Sequence, residues 1–236
     1  MNGAWLGVVL LVVLLGRLVQ RVFKICEAAN EADWGGKWLN RLDGLNRIFC
    51  RRFHGLAGDP LHLPARGPVL IASNHVSGLD PLLLIAASRR PLRFIIAQEE
   101  YDRWYLRWLF RAIGCIPVRR TRDPHVALYA ARRALKDGEA VALFPHGRIH
   151  LDHQPPVPLK RGVVLLSQMT GAPIVPVRIH GVRGQGLTVL AVLLRSRVRL
   201  QKRPVVHCRG RTVQVCLDEL GEALRSPKED RPSAVA

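Results

Sequence analysis

From about Pro60 onward the chain alternates short apolar runs with helical patterns, and this alternation restricts the available folds more than any other feature. PVLIAS, ending at Ser73, reads as a buried strand, PLLLIAASR as a helix, RFIIA as a strand, YDRWYLRWLFRAI as one helix and GCIPV as a strand. PHVALYAARRALK reads as a helix stopped by Gly138, EAVALF as a strand, RGVVLLSQMTG as a helix and PIVPVRIHG as a strand. Apolar runs without polar alternation belong to strands buried on both faces. The expected fold is therefore α/β: a mostly parallel or mixed sheet covered by helices. Leu187 to Val215 holds β-like pieces broken by basic residues, and from Ser226 the composition is that of a disordered tail.

The N-terminal part has a different texture. Gly3 to Gly16 is an unbroken apolar run, and only then do Arg17, Arg21 and Lys24 appear. As a helix, such a run rises about 21 Å, short of the roughly 30 Å hydrocarbon core. Leu18, Val19, Val22 and Phe23 can extend it if the arginines snorkel, so a marginal span and a dipping, monotopic anchor are both open. The charges follow the apolar run instead of preceding it, unlike a cleaved signal peptide. The positive-inside tendency leaves the rest of the chain at the cytoplasmic face. Trp34, Trp38, Leu42, Leu45 and Phe49 then recur at helical steps, with Lys37, Arg41, Arg47 and Arg51 mostly on other sides. This basic amphipathic helix either docks its stripe on the protein's own core or lies in a membrane interface.

The formal charge of +18 calls for a polyanionic neighbour: nucleic acid, anionic lipid or a phosphorylated substrate. An aromatic content of 6% is low for a base-stacking platform, and no nucleic-acid motif is present, so no nucleic-acid partner is expected. Cys26, Cys50, Cys115, Cys208 and Cys216 are an odd set without a CxxC pair, which favours free thiols. With no histidines clustered at zinc spacing, no metal site is expected.

SNHVSGLDP, Ser73 to Pro81, carries the chemistry. The strand before it ends at Ser73, and Asp80-Pro81 reads as a helix start with Asp as N-cap and Pro at the first helical position. Gly78 lets the loop between bend back, so His75 can stand beside Asp80 at the carboxyl end of a strand, where α/β folds hold ligands. A carboxylate bonded to one imidazole nitrogen fixes the tautomer and leaves the other nitrogen free as a base. This is the orienting half of a Ser-His-Asp triad, with a substrate hydroxyl in place of the serine. The plainer alternative is that Asp80 is only a cap.

SNHVSGLDP, AQEEYDRWYLRWLFRAIGCIPVRR, ALFPHGRI and LKRGVVLLSQMTGAPIVPV follow one another in the order and at the spacing of the four blocks of the lysophospholipid acyltransferase family, the PlsC-type glycerolipid acyltransferases, which this chain resembles over roughly Pro68 to Gly181. The resemblance implies a glycerolipid acyltransferase-like fold. It also implies transfer of an acyl group from acyl-CoA or acyl carrier protein, as donor substrate and not cofactor, to a lysophospholipid hydroxyl, most commonly the sn-2 hydroxyl of lysophosphatidic acid. In the family the histidine matched by His75 is the general base, and the aspartate matched by Asp80 holds it. No covalent acyl-enzyme is expected. Arg120, at the end of GCIPVRR, matches the second block's arginine; phosphate contact and a solvent-facing loop position are both open to it.

The third block departs from the pattern. The family usually reads Phe-Pro-Glu-Gly; here the order is Phe144, Pro145, His146, Gly147, Arg148. In the family the carboxylate, glycine and arginine are associated with acceptor binding, and Gly147 and Arg148 carry over directly. A histidine cannot repeat an acceptor-only role, so the acceptor differs, the activity is weakened, or His146 is a second base. In the fourth block Lys160 precedes a helix start, a favourable place for an anionic group. Trp104 and Trp108, one turn apart, either line an acyl or membrane-facing groove or pack in the core.

The expected organisation is a membrane-anchoring hydrophobic helix over 1–26, a basic amphipathic helix over 27–58, an acyltransferase domain over 59–225 and a disordered tail over 226–236. The expected partners are a lysophospholipid, the acyl donor and an anionic membrane surface. An acceptor such as a lyso-aminolipid, or a non-catalytic lipid-binding role, is the alternative.

Overall fold

The computed structural model describes residues 3–58, 60–119 and 123–225. Six strands lie within them: β1 (Val69–Ser73), β2 (Leu92–Ala97), β3 (Ile116–Val118), β4 (Ala140–Leu143), β5 (Ile174–His180) and β6 (Arg199–Lys202). The helices are α1 (Gly3–Ala29), α2 (Lys37–Ile48), α3 (Asp80–Ala87), α4 (Gln98–Tyr101), α5 (Arg107–Ala112), α6 (Pro124–Lys136), α7 (Gly162–Thr170), α8 (Leu190–Leu193) and α9 (Val213–Leu224). A π-helical turn, Phe49–Phe53, continues α2. The expected tail over 226–236 lies outside the described residues.

The strands form a single sheet in the order β3-β2-β4-β1-β5-β6, with β6 antiparallel to β5 and every other pair parallel. All residues of β1 and β4 are buried, as apolar runs enclosed by two helical layers must be. Side chains of α3 pack with Ile71 and Phe94 on one face; those of α6, α7 and α9 pack with Leu70 and Val141 on the other. The chain thus leaves β1 across the first face and leaves neighbouring β4 across the second. The crevice between their carboxyl ends is the topological switch point, where an α/β sheet opens a site.

One expected helix is two. In an unbroken helix Tyr101 and Phe110, nine residues apart, would point in opposite directions, since each residue turns the helix by about 100°. Both pack against the same core, with ring centroids 6.2 Å apart, so the chain breaks between α4 and α5 to bring them together. Trp104 and Trp108 stay on the outside, 86% and 59% exposed, which removes the core-packing alternative for them. Among residues 187–215, α8 and the start of α9 replace part of the β-like expectation, and Thr212 caps α9 by accepting from the Val215 amide.

The N-terminal helices pack against each other. Phe23 meets Trp38 edge to face at 5.4 Å, and the Arg41 guanidinium lies 4.2 Å over the Phe23 ring while pairing with Glu27 at 2.8 Å. At the crossing there is no room for a side chain: a Cβ on Gly44 would stand 1.8 Å from the Cys26 carbonyl oxygen. Gly44→Ala must therefore push the helices apart, with an expected loss of about 1–3 kcal/mol, read as a lower Tm and faster proteolysis between α1 and α2.

The stripe on α2 does not dock on the core as a whole. Asp43, Gly44 and Arg47 face inward, while Trp38, Leu42 and Leu45 remain exposed. Arg47, fully buried, pairs with Asp43 and donates to the carbonyls of Ala86 and Ser88, the free C-terminal acceptors of α3. Most of the apolar side chains of α1 from Val8 to Ile25 are also exposed. Among the described residues no helix is long and apolar enough to cross a membrane.

Candidate active site

The switch-point crevice is built first by the loop after β1. Asp80 is completely buried, and its carboxylate does not cap α3. It turns back instead: Oδ2 accepts from the amides of Val76 (2.6 Å) and Ser77 (2.9 Å), and Oδ1 accepts from the Ser77 hydroxyl (2.8 Å). The same Oδ2 lies 2.8 Å from Nδ1 of His75. A buried carboxylate needs this many donors, and here the donors come from the loop that it orders. The cap-only alternative fails on this geometry.

His75 is held on its other sides as well. Its ring stacks on Phe144, the first residue after β4, with centroids 4.0 Å apart and planes at 13°. Its carbonyl accepts from the His150 amide at 2.8 Å. Asn74 bridges to β5 by accepting from the Ile179 amide and donating to the Ile179 carbonyl. With Nδ1 taken by Asp80, Nε2 is the nitrogen left for a substrate, and the side chain keeps 19% of its surface exposed. Gly78 lies under a chain crossing: a Cβ there would stand 2.3 Å from the Thr188 carbonyl oxygen.

The loop after β4 supplies the second wall. His146 is partly buried, its Nδ1 has no hydrogen-bond partner among the described residues, and its ring lies 4.8 Å from that of His150. Burial first, then the neighbouring His150 and Arg178, push its pKa down to about 4 despite the opposing pull of Asp152. His146 is therefore a neutral imidazole at physiological pH, with one donor and one acceptor. Lys160 joins this loop by donating its amide to the Pro145 carbonyl at 2.8 Å, and its side chain runs beside Gly147. Arg148 is exposed on the same loop. Arg120 lies outside the described residues.

Three residues near the crevice were not singled out from the sequence: Arg178, Asp152 and His150. Arg178, on β5 and 3% exposed, pairs with Asp152 and donates to the Leu224 carbonyl, tying β5, the loop after β4 and the end of α9 together. Its signal was legible, because an arginine within the apolar run PIVPVRIHG needs a buried partner. Its partner Asp152 lies in an irregular loop and carried no comparable signal.

Ser77 and Ser73 are fully buried and hydrogen-bonded within the loop, and all five cysteines are buried. Among the described residues His75 has no protein nucleophile as a hydrogen-bond partner. The arrangement suits activation of a hydroxyl brought by a substrate.

The chain is similar in sequence and in fold to known proteins. The chain is 32% identical over 164 residues to a probable 1-acyl-sn-glycerol-3-phosphate acyltransferase of Mycoplasma pneumoniae, covering 66% of this chain and 58% of that protein. It is 29% identical over 121 residues to the 1-acyl-sn-glycerol-3-phosphate acyltransferase of Bacillus subtilis, covering 51% and 59%. The matches thus span less than two thirds of the length of these relatives. The crystal structure of the 1-acyl-sn-glycerophosphate (LPA) acyltransferase PlsC from Thermotoga maritima shares the fold, with a TM-score of 0.60 over 80% of this chain and 78% of that one at 20% identity. The model of the family described as Acyltransferase matches residues 58–180, more than half of the chain and every element from β1 to β5, and the chain belongs to that family.

Proposed function

We propose that this protein is a membrane-associated O-acyltransferase that moves a fatty acyl group from acyl-CoA or acyl carrier protein to a lysophospholipid hydroxyl. The favoured acceptor is the sn-2 hydroxyl of lysophosphatidic acid, giving phosphatidic acid. The observation that carries this reading is the His75 imidazole, fixed at Nδ1 by a buried Asp80 and bonded to no protein nucleophile among the described residues.

Nε2 of His75 takes the proton of the acceptor hydroxyl as its oxygen attacks the thioester carbonyl, forming a C–O bond and a tetrahedral oxyanion. Collapse breaks the C–S bond, and the imidazolium returns its proton to the departing thiolate. Asp80 stabilises the imidazolium between these two steps. Arg148, exposed on the loop after β4, and Lys160, whose side chain runs beside Gly147, are assigned as positive charge for the acceptor's phosphate; Arg120 is assigned the same role from its place in the second block. Membrane association is supported by the exposed apolar surface of α1, the cations Arg17, Arg21 and Lys24 that follow it, and the exposed tryptophans. The attachment is at the cytoplasmic face, with α1 as a single-pass or a monotopic anchor.

A neutral His146 in place of the family's glutamate supports a second reading, in which the acceptor is a different lysolipid. The test is acyl transfer from labelled long-chain acyl-CoA and acyl carrier protein to a panel of lysolipids in vesicles. Product on lysophosphatidate supports the first reading, product on another lysolipid alone supports the second, and none with either donor rejects both in favour of a binding-only relative. His146→Glu is expected to shift the ratio of kcat/KM between acceptors by about tenfold, because it replaces a donor-acceptor by an acceptor-only group. An unchanged ratio removes this position from headgroup recognition.

A further inference from the structure

The segment 186–194, which contains α8, is built around opposed faces. Ala191 is fully buried, and the Val192 carbonyl is hydrogen-bonded to Nε2 of the buried His54 at 3.1 Å, so one side is fastened to the protein. On the other side Leu187, Val189, Leu190 and Leu193 are 42–66% exposed. The flanks are cationic: Arg183, Arg195, Arg197 and Arg199 are exposed, and none has an ion-pair partner among the described residues. An exposed apolar tip between arginine-bearing flanks is poorly suited to water alone.

The segment is also fastened to the catalytic loop. The Gly186 amide donates to the Val76 carbonyl at 2.8 Å, and the Gly78 amide donates to the Leu187 carbonyl at 3.2 Å. These partners flank His75 within three residues. His54 in turn packs edge to face on Phe49 and Phe53 of the turn that continues α2, the helix whose Trp38, Leu42 and Leu45 are exposed.

We propose that segment 186–194 is a second membrane-contact element, seated in the headgroup region of an anionic bilayer and holding the mouth of the active site against the lipid surface. A lipid surface is favoured over a protein partner because exposed leucines and valines flanked by unpaired arginines match the two layers of an anionic interface, apolar below and phosphate-rich above. The proposal rests on the reading that the acceptor is a bilayer-resident lysolipid. It explains how a protein attached through α1 can present His75 to the bilayer: α1 supplies attachment, and segment 186–194 sets the orientation.

The five native cysteines are buried, so a cysteine introduced at Leu193 is selectively accessible to an environment-sensitive fluorophore. In the full-length protein, vesicles of phosphatidylglycerol and phosphatidylcholine are expected to raise the emission at Leu193→Cys about twofold with a blue shift, and vesicles of phosphatidylcholine alone to do less. The same label at Met169→Cys, on the last turn of α7 across the sheet, is expected not to respond. No response at Leu193, or an equal response at both sites, overturns the proposal. The readout needs no turnover, so it stands whether or not a lysolipid is acylated. In the active protein the double variant Leu190→Asp, Leu193→Asp is expected to lower turnover of vesicle-embedded acceptor about tenfold and to spare a short-chain monomeric acceptor. Equal loss on both acceptors would instead make α8 a wall of the substrate site and overturn the membrane assignment.

Discussion

His75→Ala is expected to lower kcat for acyl transfer by about 10²–10⁴, the range of a positioned general base, with little change in KM for the acceptor. The base acts when the hydroxyl loses its proton, so its contribution belongs to the transition state more than to binding. The fold should survive, because Asp80 keeps both backbone donors and the Ser77 hydroxyl when the imidazole is removed. What is lost is the stacking on Phe144 and one hydrogen bond, about 1–2 kcal/mol. Acyl transfer from a labelled thioester and a thermal melt on the same preparation separate the two effects. Turnover near the wild-type rate would refute the base assignment, and with it the mechanism.

Asp80 is expected to show the reverse balance, with a large effect on both fold and chemistry. Asp80→Ala leaves the buried amides of Val76 and Ser77 without an acceptor and frees the imidazole, at an expected cost of about 3–5 kcal/mol in stability and nearly all turnover. Asp80→Asn separates scaffold from charge. With its oxygen at the Oδ2 position the amide still accepts from Val76, Ser77 and His75, and the Ser77 hydroxyl can rotate to accept from the new NH2 group. Stability should then fall by only about 1–2 kcal/mol, while turnover falls about 10²–10³ because no negative charge remains to stabilise the imidazolium. If the asparagine variant turns over as well as wild type, Asp80 is a structural acceptor alone. Chemical denaturation alongside single-turnover acyl transfer distinguishes these outcomes.

The individual strands, most of the helices and the His75-Asp80 spacing were legible because they depend on neighbours along the chain. Apolar runs mark β1 and β4, and Pro81 and Gly171 punctuate α3 and α7. The four-block order identified the family for the same reason, since order and spacing are properties of the chain. Long-range packing decided the rest. Periodicity does not say which strands become neighbours, so the juxtaposition of His75 with Phe144 and His146 waited for the β4-β1 pairing. Nor could a helical wheel say that α2 turns Asp43 and Arg47 inward, because the deciding partners are carbonyls at the end of α3, some forty residues away. The same holds for Asp80, which reads locally as a helix cap. It became the holder of a base because the loop folded over it and the segment before α8 closed against that loop, and burial left the carboxylate no water to accept from.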